Sequence, residues 1–95
     1  MSVSSEQTDI YSLGVTLYRL FTGVLPYQHP DPTVVQHQIL NPAVLPPKPS
    51  HVVRDFPGNL ETFILNCLAK SPKERYRTIK DAKAAYTALK ITQTN

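Results

Sequence analysis

The chain has 95 residues, 41% of them hydrophobic, and ten basic against seven acidic side chains give a formal net charge of +3. This length and composition fit one small globular domain near the lower limit of independent stability and exclude general disorder. The single cysteine, Cys67, excludes an internal disulfide and fits a reducing compartment; since the sequence has no signal peptide or transmembrane run, we expect a cytoplasmic protein.

After a polar start at residues 1–7, which we expect to be frayed or extended, the pattern predicts a helix over residues 8–23. Thr8 is the expected N-cap, Asp9 suits the positive end of the helix dipole, and Gly23 marks the end. The apolar side chains of this helix fall on two faces, Ile10, Leu13, Leu17, Leu20 and Phe21 on one and Tyr11, Val15 and Tyr18 on the other.

A helix that is apolar on nearly every side is either buried all round or crosses a membrane. Asp9 at its start, Gly14 in its interior and Arg19 near its end argue against a membrane span. A chain of 95 residues has difficulty surrounding such a helix. Leaving several hundred Å² of apolar surface exposed forgoes several kcal/mol, at roughly 25 cal/mol per Å². We therefore expect self-association, or a protein partner that covers the helix.

The middle of the chain contains one short helix and a proline-rich loop. Asp31 followed by Pro32 is a typical helix start and predicts a helix over residues 33–40. Asn41–Pro42 ends this helix. The closely spaced prolines that follow exclude a regular helix or a central strand, so we expect an extended loop over residues 42–57.

Two more helices follow the loop. Asn59 is the expected cap of the first, which Ser71–Pro72 ends; Thr78 starts the second, with Asp81 in a near capping box. Their apolar stripes are Leu60, Phe63, Ile64, Cys67 and Leu68 in the first and Ile79, Ala82, Ala85, Tyr86 and Leu89 in the second. No segment predicts a strand, so we expect one all-α domain over residues 1–95, with about four helices and a Pro-rich loop.

Two motifs in these helices resemble those of protein kinases. The first is Asp9-Ile10-Tyr11-Ser12-Leu13-Gly14, followed by Leu17-Tyr18, Thr22-Gly23 and Leu25-Pro26-Tyr27. The second is Cys67-Leu68-Ala69-Lys70-Ser71-Pro72-Lys73-Glu74-Arg75. In this order they are similar to the central buried helix and the closing C-L-x-K-D-P-x-x-R pattern of the C-lobe of serine/threonine protein kinases. The resemblance covers residues 8–90 and implies a partial protein-kinase C-lobe.

The other kinase motifs do not occur in these 95 residues: the Gly-rich loop, the strand Lys, H-R-D, D-F-G and A-P-E. In the family they all precede the position of Asp9. We therefore expect this chain alone to be inactive and to hold no cofactor, with ATP and Mg implied only for a full-length parent. Tyr11 for Trp, Ser71 for Asp and Tyr76 for Pro depart from the family pattern and look more like bacterial than animal members.

The resemblance implies scaffold roles for Asp9, Gly14 and Arg75, and no catalytic residue. In the family, the aspartate at the position of Asp9 accepts hydrogen bonds from backbone N–H groups of the catalytic loop. The arginine at the position of Arg75 forms a buried ion pair with the glutamate of A-P-E. The alternative for Asp9 is an ordinary carboxylate at a helix N-terminus. An unpaired buried guanidinium is costly, so we expect Arg75 to be solvated, to pair across an interface, or to pair with Glu6, Asp9 or Asp55.

The short helix over residues 33–40 is a candidate docking surface. In the family, the region after Leu25-Pro26-Tyr27 often helps to dock protein substrates. The residues expected to make such contacts are Val34, Val35, Gln38 and Ile39. Simple packing within the domain is the alternative for these residues.

Other kinds of chemistry find little support in the sequence. His29, His37 and His51 lack metal-ligand spacing, and Cys67 fits a buried apolar position better than a nucleophile. The basic residues near the end of the chain fit a solvated helix face better than a nucleic-acid site, because no aromatic stacking pattern accompanies them. We expect no metal, nucleic acid or membrane as a partner.

Two functions remain for this chain. The first is a C-terminal fragment of a serine/threonine protein kinase, whose parent transfers the γ-phosphoryl group of ATP to protein hydroxyls. The second is a free-standing interaction module derived from a kinase, which binds a protein partner or itself. An upstream reading frame that encodes H-R-D and D-F-G favours the first, and a compact gene that starts at Met1 favours the second.

Overall fold

The computed structural model describes residues 6–93, including every side chain in that range except those of residues 72 and 90–93. This part of the chain contains helices and loops and no strand, which confirms the all-α expectation. The helices are α1 (Glu6–Thr22), α2 (Pro32–Leu40), α3 (Pro49–Val52), α4 (Gly58–Cys67) and α5 (Ile79–Gln93), and a short 3₁₀ helix spans Pro72–Glu74.

The core lies where α1, α4 and α5 meet, with α4 packed against both of the other helices. All five residues of the stripe predicted on the first of the two C-terminal helices are buried, so that face is confirmed. Gly14 allows α1 and α4 to approach closely, because a Cβ at this position would lie 2.8 Å from the Cβ of Cys67. The buried members of the core are Ile10, Leu17, Tyr18, Leu60, Phe63, Ile64, Cys67, Leu68 and Ala82.

α1 begins two residues before the predicted cap, so the assignment of Thr8 as N-cap is wrong. The added turn is held by contacts with the distant end of the chain. The Glu6 carboxylate accepts a hydrogen bond from the Ile79 N–H at 3.2 Å. The Gln7 amide donates to the carbonyls of Tyr76 and Arg77 at 3.0 and 3.1 Å. Helix propensity does not encode such contacts. Of the start expected to be frayed or extended, residues 1–5 lie outside the described residues.

The end of α1 and the start of α2 follow the predictions. Gly23 has a φ of 82° and donates its N–H to the Arg19 carbonyl at 2.8 Å, as a glycine that ends a helix does. Asp31 caps α2 by accepting the Thr33 N–H at 2.9 Å, with Pro32 in the first turn.

The loop expected over residues 42–57 contains one helical turn, α3, and in that respect the prediction was wrong. Pro49 stands in the first turn of α3 and is buried, and proline suits this position because it has no N–H to satisfy. The Ser50 N–H is bound by the Glu61 carboxylate of α4 at 2.7 Å. This tertiary contact fixes a turn that the spacing of prolines does not reveal.

The start of α4 lies two residues before the predicted one. The helix begins at Gly58 after Pro57, so Asn59 lies in the first turn and is not the cap; its side-chain oxygen accepts the Leu60 N–H at 2.9 Å. The predicted start of the last helix at Thr78 is supported, because its hydroxyl accepts the Asp81 N–H at 3.1 Å.

The apolar residues of α1 are covered on one side only. Ile10 and Tyr18 face the core and are fully buried, whereas Leu20 is 70% exposed and Phe21 is 40% exposed. The sequence pattern groups Leu20 and Phe21 on one face with Ile10 and Leu17. In the structure Ile10 and Leu17 are buried while Leu20 and Phe21 are exposed, which agrees with the expectation that so short a chain does not surround the helix. No helix within residues 6–93 is long and apolar enough to cross a membrane.

We expect a Gly14→Ala substitution to destabilise the fold. The new methyl group would lie 2.8 Å from the Cys67 Cβ and 3.0 Å from the Leu68 Cδ2, so the two helices must move apart. Overpacking of this kind costs about 1–3 kcal/mol, of which better helix propensity returns about 1 kcal/mol. Urea unfolding at fixed protein concentration measures the net loss. Gly58→Ala is the matched control, since no atom lies within 4 Å of its added methyl. Equal stability of the two variants would contradict close packing at Gly14.

Candidate functional site

Two places in the structure contain Arg75 and the four residues predicted to dock a partner. The first, which we call the Arg75 cluster, contains Gln7 and Tyr11 of α1, Ala69 and Lys70 after α4, and Arg75 itself. The second is the surface of α2. The 3₁₀ helix Pro72–Glu74 turns the chain between Lys70 and Arg75 and so brings the guanidinium back towards α1.

The Arg75 guanidinium is bound by backbone carbonyls. Its Nε donates to the Ala69 carbonyl at 2.7 Å, one terminal nitrogen to the Gln7 carbonyl at 3.3 Å, and the other to the Lys70 carbonyl at 3.5 Å. The guanidinium also lies over the Tyr11 ring, 5.0 Å from its centroid. Planar geometry and several donors make an arginine suited to bridging a loop and a helix in this way.

These contacts correct the expectations for Arg75. Within residues 6–93 no carboxylate forms an ion pair with it, so Glu6, Asp9 and Asp55 are not its acceptors. Glu6 binds the Ile79 N–H instead. Carbonyl oxygens and an aromatic face satisfy a half-buried guanidinium without a buried carboxylate, which avoids the desolvation of a second charge.

The groups beside Arg75 are neutral at physiological pH. Burial raises the pKa of the Tyr11 hydroxyl above its usual value, and the nearby Arg75 charge opposes this shift. Burial likewise raises the pKa of the Cys67 thiol to about 11, again opposed by Arg75. Cys67 is fully buried, and a thiol that stays protonated is a poor nucleophile. The prediction that Cys67 is an apolar core residue is therefore supported.

The structure brings Gly14 and Arg75 into one region but leaves Asp9 on the surface. Gly14 packs against Cys67, and the charge of the nearby Arg75 lowers the pKa of the Cys67 thiol in opposition to burial. Asp9 is exposed in the first turn of α1, and no residue among 6–93 binds its carboxylate. The scaffold roles implied for these three residues remain predictions.

The four residues predicted to dock a partner all lie on α2 and are half-buried. Val35 borders a shallow groove of about 430 Å³, whose other walls include Leu25 and Tyr27. The Gln38 side-chain oxygen is buried and has no hydrogen-bond partner in the described chain. An apolar groove of this kind can accept an apolar side chain of a partner.

Two contacts in this region were missed in the sequence. The Lys70 ammonium donates to the carbonyls of Gln38 and Ile39 at 2.7 Å each, and lies 4.5 Å from the centroid of the Tyr27 ring. Tyr27 belongs to the first kinase-like motif and Lys70 to the second. Membership in these motifs is the only sequence signal that marks the two residues.

The histidines and acidic residues of the described chain form no group of three that could hold a metal ion. His29 accepts the Asp31 N–H at 3.0 Å through its Nδ1 and so belongs to the start of α2. His37 and His51 are exposed.

The sequence is similar to those of known protein kinases. The family model described as protein tyrosine and serine/threonine kinase matches residues 1–81. A probable serine/threonine-protein kinase of Clostridium perfringens is 35% identical over 75 residues, which is 79% of this chain and 11% of that protein. The serine/threonine-protein kinase PknD of Chlamydia caviae is 37% identical over 83 residues, 85% of this chain and 8% of the relative. The serine/threonine-protein kinase PknB of Mycolicibacterium smegmatis is 35% identical over 78 residues, which is 82% of this chain and 12% of that protein. The chain thus spans about a tenth of the length of these relatives.

An Arg75→Lys substitution should destabilise the chain, because an ammonium cannot reach three carbonyls and stack on Tyr11 at once. Loss of charged hydrogen bonds predicts a decrease of about 1.5–3 kcal/mol in the free energy of unfolding. Arg77→Lys is the control: Arg77 is exposed, and we expect a change within about 0.5 kcal/mol. Urea unfolding compares the two variants, and an Arg75→Lys protein as stable as Arg77→Lys would show that the cluster does not hold α1.

Proposed function

The chain belongs to the protein tyrosine and serine/threonine kinase family, and on this premise we propose that it is the scaffold part of a serine/threonine kinase domain. In this proposal the parent protein transfers the γ-phosphoryl group of ATP to serine or threonine hydroxyls of other proteins. The observation that carries the proposal is the match over residues 1–81, together with the packing of both motifs into one core.

The first turn of α1 is the part of the scaffold that would meet the catalytic loop. Glu6, Gln7 and Arg75 tie this turn to the C-terminal segment through four different carbonyl or N–H groups. These contacts hold the backbone of the turn that carries the exposed Asp9. An exposed carboxylate at this place can accept hydrogen bonds from backbone N–H groups of a loop that packs against it.

The residues of this chain do not fit Mg–ATP. No group of three carboxylates or histidines within residues 6–93 gathers to hold a metal ion. Gly14 is enclosed by Cys67 and Leu68, and Gly23 and Gly58 stand alone at helix ends, so the chain offers no glycine-rich loop for phosphates. We therefore assign no step of phosphoryl transfer to these residues.

The proposal predicts that the purified 95-residue chain does not transfer phosphate. Incubation with radiolabelled ATP, Mg²⁺ and a general protein substrate should give no labelled product, because residues 6–93 gather no metal site and the sequence contains neither H-R-D nor D-F-G. Titration calorimetry with Mg–ATP should give no binding heat. A catalytically competent bacterial kinase in the same assay is the positive control. Transfer of label that follows the purified chain through chromatography would overturn the proposal that the chain is inactive alone.

We also propose that α2 docks a protein substrate of the parent. The groove beside Val35 favours this role over simple packing, as does the fact that none of the residues in Pro32–Leu40 is buried.

One observation favours a second function, that of an interaction module. Leu20, Phe21 and Leu25 are between 39% and 70% exposed, and Leu20 and Leu25 border a groove of about 540 Å³ on α1. We call this the α1 apolar face. In a parent kinase the rest of the domain would cover it. For the isolated chain we propose that a second copy covers it, since surfaces of this kind rarely stay exposed in monomeric proteins.

A Leu20→Glu substitution tests this self-association. Analytical ultracentrifugation of the wild-type chain should show dimers or larger species whose proportion rises with concentration. The substitution should yield monomers, because it places a charge in the buried part of the contact. Leu45→Glu is the matched control, since Leu45 is also 70% exposed but lies outside the α1 apolar face. A monomeric wild-type chain that binds no hydrophobic dye would contradict self-association.

The gene around the chain separates the two functions. Codons for H-R-D and D-F-G directly upstream of Met1 favour the kinase scaffold. A short gene that starts at Met1 favours the interaction module. Cytoplasmic location stays a prediction under both.

A further inference from the structure

α2 is attached to the rest of the structure mainly by its ends. None of the residues in Pro32–Leu40 is buried, whereas α1 and α4 contribute most of the core. The N-terminal end is fixed by Asp31, which is itself part of an exposed loop. The position of α2 therefore depends on what holds its C-terminal end.

At the C-terminal end of α2, the carbonyls of Gln38 and Ile39 lack the backbone donors that a continuing helix would give them. The carbonyl of Gln38 would be bound by the N–H of residue 42 if the helix continued, but residue 42 is a proline and has no N–H. The carbonyl of Ile39 would be bound by the N–H of Ala43. That group instead donates to the Asn41 side chain at 2.9 Å. Two carbonyls at the negative end of the helix dipole are thus left for another donor.

Lys70 supplies both donors. Its ammonium binds the Gln38 and Ile39 carbonyls at 2.7 Å each, and lies 4.5 Å from the centroid of the Tyr27 ring. Burial lowers the pKa of Lys70 from its usual value, which is the effect expected of an ammonium partly removed from water. Hydrogen bonds from a charged donor, the helix dipole and a cation–π contact act together at this point.

We propose that Lys70 is the positioning residue of the α2 docking surface, holding the end of α2 that carries Gln38 and Ile39 against Tyr27. The functional meaning of this inference rests on the proposed docking role of α2. Through its own carbonyl, Lys70 also accepts a hydrogen bond from Arg75 at 3.5 Å, so one residue links the Arg75 cluster to the docking surface.

Hydrogen–deuterium exchange on Lys70→Met tests the inference. Methionine keeps an unbranched chain of four heavy atoms, as long as the aliphatic part of lysine, and lacks the ammonium. The amides of residues 36–41 should exchange at least about tenfold faster than in the wild type, the change expected when hydrogen bonds to a charged donor are lost. The amides of α1 and α4 should keep their rates. Lys70→Arg, which restores a charged donor, should return the rates of residues 36–41 towards those of the wild type.

Lys73→Met is the matched control, because Lys73 lies three residues further on and is exposed. We expect no change in α2 from this substitution. Exchange in α2 of Lys70→Met within twofold of the wild type would overturn the inference. Equal acceleration in every helix, or failure of the variant to fold, would also count against it, because the role would then be general stability.

A second background tests whether Lys70 acts through the carbonyls of Gln38 and Ile39. Pro42→Ala restores an N–H that can bind the Gln38 carbonyl. In this background, Lys70→Met should accelerate α2 exchange several-fold less than in the wild type. An equal effect in both backgrounds would mean that Lys70 does not act through the orphan carbonyls.

Failure of docking is distinguishable from failure of this inference. A charged substitution at Val35 should abolish partner binding and leave α2 exchange unchanged if both proposals hold. If α2 responds to Lys70→Met as expected and no partner binds α2, the docking role is wrong and the positioning role stands.

Discussion

The close approach of α1 and α4 at Gly14 is the constraint on which the rest of the structure depends. Because Gly14 has no side chain, the Cβ of Cys67 can lie 2.8 Å from the place where a methyl group on residue 14 would be, and two apolar helices meet through core residues that include Ile10, Leu17 and Ile64. Dispersion contacts and the exclusion of water stabilise such a contact in proportion to the area that it buries. The contacts of the other segments then form on α1 and α4, which this approach has already positioned.

The Arg75 cluster extends this arrangement in a second direction. Because α4 is fixed against α1, the segment after α4 returns past the first turn of α1, and Arg75 can bind carbonyls from both. Glu6 and Gln7 bind the same segment a few residues further on. These contacts hold the backbone of the first turn of α1 and leave Asp9 exposed at its surface.

Much of this could be predicted from the sequence because it depends on local rules. The stripe of α4, the Asp31 cap and the Gly23 stop follow from helical periodicity and capping, and each was confirmed. The early start of α1 and the turn α3 depend on side chains that bind backbone groups far away in the chain. Single-sequence patterns contain no information on such partners.

The candidate site shows the same division. Gly14 and Arg75 were identified because they occupy positions in the two family motifs. The groups that accept hydrogen bonds from Arg75 were not predicted. Those acceptors are backbone carbonyls, and every residue type has one, so composition and spacing cannot point to them. The same reason hid Lys70, which binds two carbonyls at the end of α2. Carboxylates are visible in a sequence, and for that reason they were the expected partners.

Site-resolved hydrogen exchange of the wild-type chain without ATP is the most direct test of the central claim, that these residues hold their shape as a scaffold without a catalytic part. The account predicts that the slowest amides lie in α1 and α4 around Gly14 and Cys67, and that those of α2 exchange faster. Exchange of α1 at the rate of an unfolded peptide would contradict it, because the contact at Gly14 would then not form in this chain.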